Sequence, residues 1–339
     1  MTNSKSTQPV SGSEIYSEAH SLLKKSRGLT FTHVVEHAGY GAMLSRLMTG
    51  INLALTQKAN YYFEIQSHYQ IENLFDISVK QNTGELNQSK KIVWNFMRDT
   101  WNVKYPLFSL RWLTKGRNYK ERIRASHQFP NCPLTLKNSI SRHQWCAVLA
   151  QLICGKPTNN LDQILQGTKT ALGWRNDALH IGIHVRRGDK NTECPFIPTQ
   201  IYVNFCNQII DANPKQFIQI FLTSDDPDSI IEFRKNLPEV QILWDDQEPR
   251  FNNYNAEMVA KDKNLATQES ITAAKNISLL GQCDYVIGMA TAQFTWIGGL
   301  LCIFNHDLDT SRQIMIDPIT NKQSHWACTY GFSMADVDL

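Results

Sequence analysis

Six residues with chemistry to offer fall within ten positions of the stretch LHIGIHVRRGDKNTE, residues 179–193. His184 brings an imidazole, Arg186 and Arg187 two guanidiniums, Lys190 an ammonium, and Asp189 and Glu193 two carboxylates. Paired arginines suit a phosphate or pyrophosphate, because a guanidinium presents a planar fork of donors and stays charged. The residues just before them, Leu179, Ile181, Ile183 and Val185 with Gly182 among them, form an apolar run of strand length, as in a parallel sheet covered on both faces. The cluster therefore lies at the carboxyl end of a buried strand, where open α/β sheets bind ligands. A solvated charge cluster is the plainer alternative, but such a face rarely follows a buried strand so directly.

Two further polar groups follow apolar runs in the same way. Thr223, Ser224, Asp225 and Asp226 follow IQIFL, and Thr291 and Gln293 follow DYVIGM. If these strands are parallel, all three groups face one cleft. Asp225 and Asp226 suit hydrogen bonds from a ribose or base, a metal, or the orientation of Arg186. Asp226 is equally suited to cap the next helix, since Asp-Pro-Asp opens helices well. Arginines that neutralise a phosphate leaving group remove much of the need for a divalent ion, so no metal is expected. The Asp-x-Asp pairs at Asp307/Asp309 and Asp336/Asp338 follow no clear strand and read as solvated loop. Arg187-Gly188-Asp189 matches the integrin-binding tripeptide, but nothing in the chain supports export. Asn87 and Asn276 fit the N-glycosylation pattern, the second on a helix expected to be buried.

The elements that must position these groups alternate regularly after Trp174. Strands are expected at 179–185, 217–222, 240–243 and 285–289, with helices at 198–211, 226–236 and 267–281 and another from 292. Residues 245–264 read as a polar loop, and 313–317 as a possible last strand. Such alternation indicates a parallel, doubly wound sheet. Nearer the amino end, residues 32–36 read as a strand, Gly39 and Gly41 as a turn, 42–57 as a helix and 61–65 as a second strand. Met43, Leu44, Leu47, Met48, Ile51, Leu53 and Leu55 would share one helical face. The two glycines let backbone approach a ligand at a helix N-terminus, which favours anions, although a tight turn with no ligand has the same sequence. Residues 66–124 interleave aromatics with lysines and arginines, a pattern of core plus snorkelling stems more often than of sugar or base stacking. Helices are also expected at 14–26, 139–153 and 160–170.

With 339 residues, two domains are the default. The boundaries read as a disordered tail at 1–13, an amino-terminal α/β unit at 14–174, a Rossmann-like unit at 175–305, and a tail from 306 to 339 that packs back on the domains. The net charge of +3 gives no case for nucleic acid. No window of eighteen apolar residues occurs and the first 15 residues are polar, so neither a membrane anchor nor a signal peptide is expected. The eight cysteines include no C-x-x-C pair, which suits buried free thiols in a reducing compartment. The chain reads as soluble, and as cytoplasmic unless delivered elsewhere without a cleaved signal.

His184-Val185-Arg186-Arg187-x-Asp189-Lys190 resembles the first motif shared by α1,2-, α1,6- and protein O-fucosyltransferases. Ser224-Asp225-Asp226-Pro227 resembles the second, and Leu279-Leu280-x-Gln282-x-Asp284 through Gln293 the third. The α1,6-fucosyltransferases fit best, with α1,2 enzymes a weaker likeness. Gly39-Tyr40-Gly41 and the acidic Glu64 match their glycine loop, and Thr192-Glu193 followed by Phe196 and Pro198 matches their catalytic segment with one residue deleted. The resemblance covers about residues 31–65 and 140–302. It implies an inverting, metal-independent transferase of GT-B-like fold with two Rossmann-like domains, moving fucose from GDP-fucose to a glycan or glycoprotein hydroxyl. It also implies roles for residues: Arg186 on the β-phosphate, supported by Arg187 and Asp189; Glu193 as general base, assisted by Lys190; His184 on the guanine; Tyr40 lining the nucleotide pocket; Gln293 on the diphosphate. The family carries an aspartate that reads guanine where this chain has Asn276, and a serine near the phosphate where it has Ala292. An amide has one oxygen to offer where a carboxylate has two. The competing readings are a transferase of the same fold with another nucleotide sugar, and a non-catalytic sugar- or nucleotide-binding protein.

Overall fold

A computed structural model describes residues 11–25, 30–35, 39–56, 58, 60–65, 67–77, 80–81, 91–94, 132, 140–188, 195–250 and 256–324. Its elements in chain order are α1 (Gly12–Lys24), β1 (Thr30–Val35), α2 (Tyr40–Thr56), β2 (Asn60–Ile65), β3 (Lys80–Gln81), β4 (Lys91–Trp94), α3 (Arg142–Cys154) and α4 (Asn159–Leu172). They continue as β5 (Leu179–Val185), α5 (Thr199–Ala212), β6 (Ile218–Ser224), α6 (Ser229–Asn236), β7 (Gln241–Leu243), α7 (Ala256–Lys261) and α8 (Lys263–Gly281). The last are β8 (Tyr285–Met289), α9 (Gln293–Asn305), β9 (Gln313–Ile316) and β10 (Gln323–Ser324).

Two sheets organise the chain. The first is parallel throughout, in the order β3-β2-β1-β4; the second runs β10-β9-β8-β5-β6-β7 and is parallel except for β10. The chain enters the second sheet at β5, steps outward through β6 and β7, then returns to the other side of β5 with β8 and β9. The reversal falls between β5 and β8, the position where such sheets form a ligand crevice beyond their carboxyl ends. This confirms the α/β class and the parallel Rossmann-like carboxyl-terminal sheet.

Alternation along the strands divides the second sheet's packing. Ile181, Ile183 and Val185 of β5, with Ile220 and Leu222 of β6, pack against Tyr202 and Cys206 of α5 and Phe233 of α6. Phe221 and Val286 point the other way, into a larger core with α8 and α9. That core also takes in Met43, Leu44, Leu47 and Met48 of α2 and Trp145 of α3, so α9 lies against both α2 and α3 between the two sheets.

Several sequence expectations need correction. Residues 11–13 are not tail: Ser11 caps α1 in a reciprocal box with Glu14, satisfying first-turn N–H groups. Helix α2 begins at Tyr40, so Tyr40 and Gly41 form its first turn rather than a preceding loop. It is not amphipathic in its first half, where Ser45 and Arg46 are as buried as their apolar neighbours because helices and sheet surround it. The 245–264 loop contains α7 and the start of α8, whose first turn is capped by Asp262. Asp307 is exposed and Asp309 keeps 42% of its side chain exposed, as expected of solvated loop, although Asp307 Oδ1 also accepts from Gly12 N at 3.1 Å and Asp309 Oδ1 from Ser311 N at 3.0 Å. Asn87, Asp336 and Asp338 lie outside the described residues. The described cysteines, Cys132, Cys146, Cys154, Cys206, Cys283 and Cys302, are buried free thiols. No helix among the described residues is long and apolar enough to cross a membrane.

Candidate functional site

The arginine pair at the end of β5 divides its labour. Asp225, following β6, accepts from the Arg186 guanidinium through Oδ2 and from the Arg187 backbone N–H through Oδ1 at 2.8 Å. One carboxylate thus fixes both the side chain of Arg186 and the path of the chain leaving the strand. Arg186 keeps 30% of its side chain exposed at the sheet edge.

Arg187 turns away to tie helices to the sheet. Its Nη1 reaches Asp226 Oδ2 at 2.7 Å and Glu232 Oε1 at 2.9 Å, and its Nη2 reaches Glu232 Oε2 at 2.7 Å and Thr199 Oγ1 at 2.8 Å. The bidentate pairing holds the Glu232 carboxyl below its ordinary range, with the Arg187 hydrogen bond the largest cause. Asp226 also receives the Asp228 N–H at 3.0 Å, closing the turn into α6. Both carboxylate oxygens of Asp226 therefore serve the fold. Thr199 and Glu232 escaped the sequence reading, because nothing in their local sequence marks them as partners of a residue twelve or more positions away.

His184 lies one strand position inside the edge. Its Nδ1 shares a 2.6 Å hydrogen bond with Thr295 Oγ1, and its ring packs 4.6 Å from that of Phe294. Burial first, and then the neighbouring Arg186, push its pKa down to about 3, so the imidazole is neutral. This bond seats the first turn of α9 on the end of β5. The N-cap of α9 is Ala292, with no side-chain cap, although a helix leaves its first N–H groups without intrahelical partners. Gln293 Oε1 is buried without a hydrogen-bond partner among the described residues.

The first turn of α2 meets the first turn of α9. A Cβ on Gly41 would stand 3.0 Å from the backbone nitrogen of Phe294, so only glycine allows this approach without displacement. Two helix N-termini, each carrying partial positive charge, meet here, with the first turn of α9 bonded to His184, two residues before Arg186. Like ends brought together disfavour one another unless an anion lies between them, and the arrangement makes an anion cradle. Gly39 precedes it. The Tyr40 ring turns inward, buried edge-on against Tyr69, with its hydroxyl donating to the Gln70 carbonyl at 3.4 Å. Glu64 is exposed within β2, and Thr291 is buried after β8.

Asn276, on α8, donates from Nδ2 to Thr223 Oγ1 at 3.1 Å and to Glu248 Oε2 at 2.8 Å. Thr223 pairs in register with His184, so this contact adjoins the cradle. The edge thus gathers His184, Arg186, Thr223, Asp225, Asn276, Gln293 and the Gly39–Gly41 turn. It places the Arg187 side chain and Asp226 in the support behind them. Asp284 of the third motif is not at this edge: it binds the His180 N–H at 2.8 Å, at the other end of β5. Asp189, Lys190 and Glu193 lie outside the described residues.

No family model matches the chain, and no curated protein matches it. Among solved structures, it resembles NodZ α-1,6-fucosyltransferase soaked with GDP-fucose at 14% identity, over 87% of this chain and 97% of that one, with a TM-score of 0.46. Fucosyltransferase NodZ from Bradyrhizobium aligns at 15% identity over 80% and 93% of the two chains, with a TM-score of 0.47. POFUT1 in complex with GDP-fucose aligns at 10% identity over 83% and 96%, with a TM-score of 0.43.

Proposed function

We propose that the chain is an inverting, metal-independent glycosyltransferase that moves fucose from GDP-fucose to a hydroxyl of a glycan or glycoconjugate. The observation that carries the reading is the anion cradle. The first turns of α2 and α9 meet each other, and α9 is bonded to His184, two residues before Arg186, itself fixed by Asp225, at the switch point of a parallel sheet. A diphosphate matches this charge and these donors, and the motif resemblance supplies the sugar.

In this reading the diphosphate lies against the two helix N-termini and Gln293. Arg186 meets the charge that grows on the β-phosphate as the C1–O bond breaks. Glu193 takes the proton of the acceptor hydroxyl as that oxygen bonds to C1 from the opposite face, with Lys190 assisting, so the anomeric configuration inverts. Asp189 and Arg187 brace the turn, and Thr291 and His184 line the nucleotide side. Residues 14–174 form the acceptor-side domain, and residues 175–305 hold the nucleotide sugar. Two fixed dipoles and a guanidinium provide the charge stabilisation for which other transferases recruit a divalent ion.

The test is GDP release from GDP-fucose in EDTA over a panel of glycan acceptors, with wild type and Glu193→Gln compared. The variant should bind GDP as wild type does and lose transfer by about 10²- to 10⁴-fold, the usual weight of a general base. Equal turnover by the two proteins contradicts the assignment of Glu193. Release that requires an added divalent ion contradicts the metal-independent mechanism, and release from GDP-mannose instead of GDP-fucose contradicts the donor.

A further inference from the structure

A second polar cluster, outside the cradle, lies against the end of β6 with Glu248 at its centre. Glu248 Oε2 accepts from Asn276 Nδ2 at 2.8 Å and pairs with Lys275 Nζ at 3.0 Å, while Oε1 pairs with Arg250. Lys275 also pairs with Asp245, whose backbone carbonyl accepts from Arg250 Nη2 at 2.6 Å. The Arg250 guanidinium lies over Trp244, 4.2 Å from the ring centroid. The Glu248 side chain is only 5% exposed. Burying charges in this way rarely repays its desolvation cost in stability, so the cluster invites a role in recognition.

The hydrogen-bond capacities narrow that role. A carboxylate accepts only, so its contact with Asn276 fixes the amide with nitrogen toward Glu248 and Thr223 and oxygen away from them. Asn276 is 2% exposed, yet Oδ1 has no hydrogen-bond partner among the described residues. An orphaned buried carbonyl costs free energy unless a donor reaches it. Glu248 offers about four lone-pair positions, and the named contacts use three of them. Two neighbouring acceptors with spare capacity therefore stand beside Thr223, the register partner of His184.

Resting on the reading of the cradle as a diphosphate site, we propose that Glu248 and Asn276 together read the base of the nucleotide, selecting one that presents two adjacent N–H donors. Guanine does so with N1–H and N2–H. Adenine and cytosine set an amino donor beside a ring acceptor, and uracil sets one N–H between two carbonyls. Hypoxanthine keeps N1–H and lacks the 2-amino group. Lys275 and Arg250 hold the Glu248 carboxylate in place as an acceptor, which makes them positioning residues.

Calorimetric titration of the full chain with GDP, inosine diphosphate, ADP and UDP tests the proposal. Wild type should bind GDP at least about tenfold more tightly than inosine diphosphate, the worth of one hydrogen bond to a charged group, and ADP and UDP more weakly still. Glu248→Gln should bring the GDP to inosine diphosphate ratio within about threefold. Equal binding of the two by wild type overturns the proposal, as does an unchanged ratio in the variant. If the variant does not fold, the wild-type ratio decides alone. Arg186→Ala separates this proposal from the reading beneath it by weakening all four nucleotides alike. Loss without base preference leaves the cradle standing and removes the base site, whereas absence of binding by any nucleotide removes both.

Discussion

Gly188 passes so close to Asp225 that a side chain there would strike the carboxylate. A Cβ built on Gly188 falls inside contact distance of Asp225 Oδ2 and 3.4 Å from Arg186 Nη1, and the backbone at Gly188 has φ of +28°. The chain leaving β5 is therefore wrapped around Asp225, with Arg186 bonded on one oxygen and the Arg187 backbone on the other. Gly188→Ala should displace this carboxylate and carry a backbone penalty of about 1–3 kcal/mol. Urea unfolding should register the loss, and nucleoside diphosphate affinity should fall with it. Wild-type affinity in the variant would show that Asp225 does not set the pose of Arg186.

Arg187 is expected to affect stability more than chemistry. Arg187→Ala strands Asp226 and Glu232, but Glu232 has 43% of its side chain exposed, so the cost should be near 1–3 kcal/mol rather than that of a fully buried pair. Because Arg187 lowers the Glu232 pKa, this contribution is complete above the ordinary value of 4.5 and is lost as pH falls below it toward the folded-state value. Denaturant titrations from pH 7 to pH 3 should show the wild-type advantage over the variant shrinking only below that point.

His184 gives the parallel experiment for a base. Its folded pKa is near 3 against an ordinary 6.5, so the unfolded chain binds the extra proton between those limits. Stability should therefore fall as pH drops below 6.5, by about 1.4 kcal/mol per pH unit from this group alone. Buried His143, pushed down to about 4, adds a similar slope. His184→Gln should flatten part of the acid limb and leave the His143 part, as read by stability against pH from 7 to 4.5.

Gly41 tests the junction of the two helices. Gly41→Val adds three carbons where a Cβ alone stands 3.0 Å from Phe294 N, so α2 and α9 must separate. Diphosphate affinity should drop by about tenfold or more, since overpacking displaces backbone and the cradle depends on both ends. Unaltered pyrophosphate binding would place the anion elsewhere.

Sequence carried the strands well and the partnerships poorly. Leu179–Val185 and Tyr285–Met289 were legible to the residue, because fully buried strands are written as short apolar runs and their polar ends stand out. Arg186 and Asp225 were legible as neighbours across parallel strands. The duty of Arg187 was not, because Glu232 lies 45 residues away on an α6 face with no marker. Glu248 was hidden in a stretch read as polar loop. Where the resembling family has a carboxylate, the chain has Asn276, and a sequence comparison by position misses a carboxylate brought in from 28 residues earlier. Helix α7 was missed because its six residues are too few to display a 3.6 period.

The most direct test of the central claim is the thermal shift of the full chain in EDTA with GDP-fucose and with GDP, for wild type and Arg186→Ala. A ligand held only by the folded state raises its stability, so both should raise the wild-type melting temperature, and the variant should lose most of that rise at equal ligand concentration. No rise in wild type, or an equal rise in both proteins, would contradict a nucleoside diphosphate bound through Arg186 at the meeting of α2 and α9.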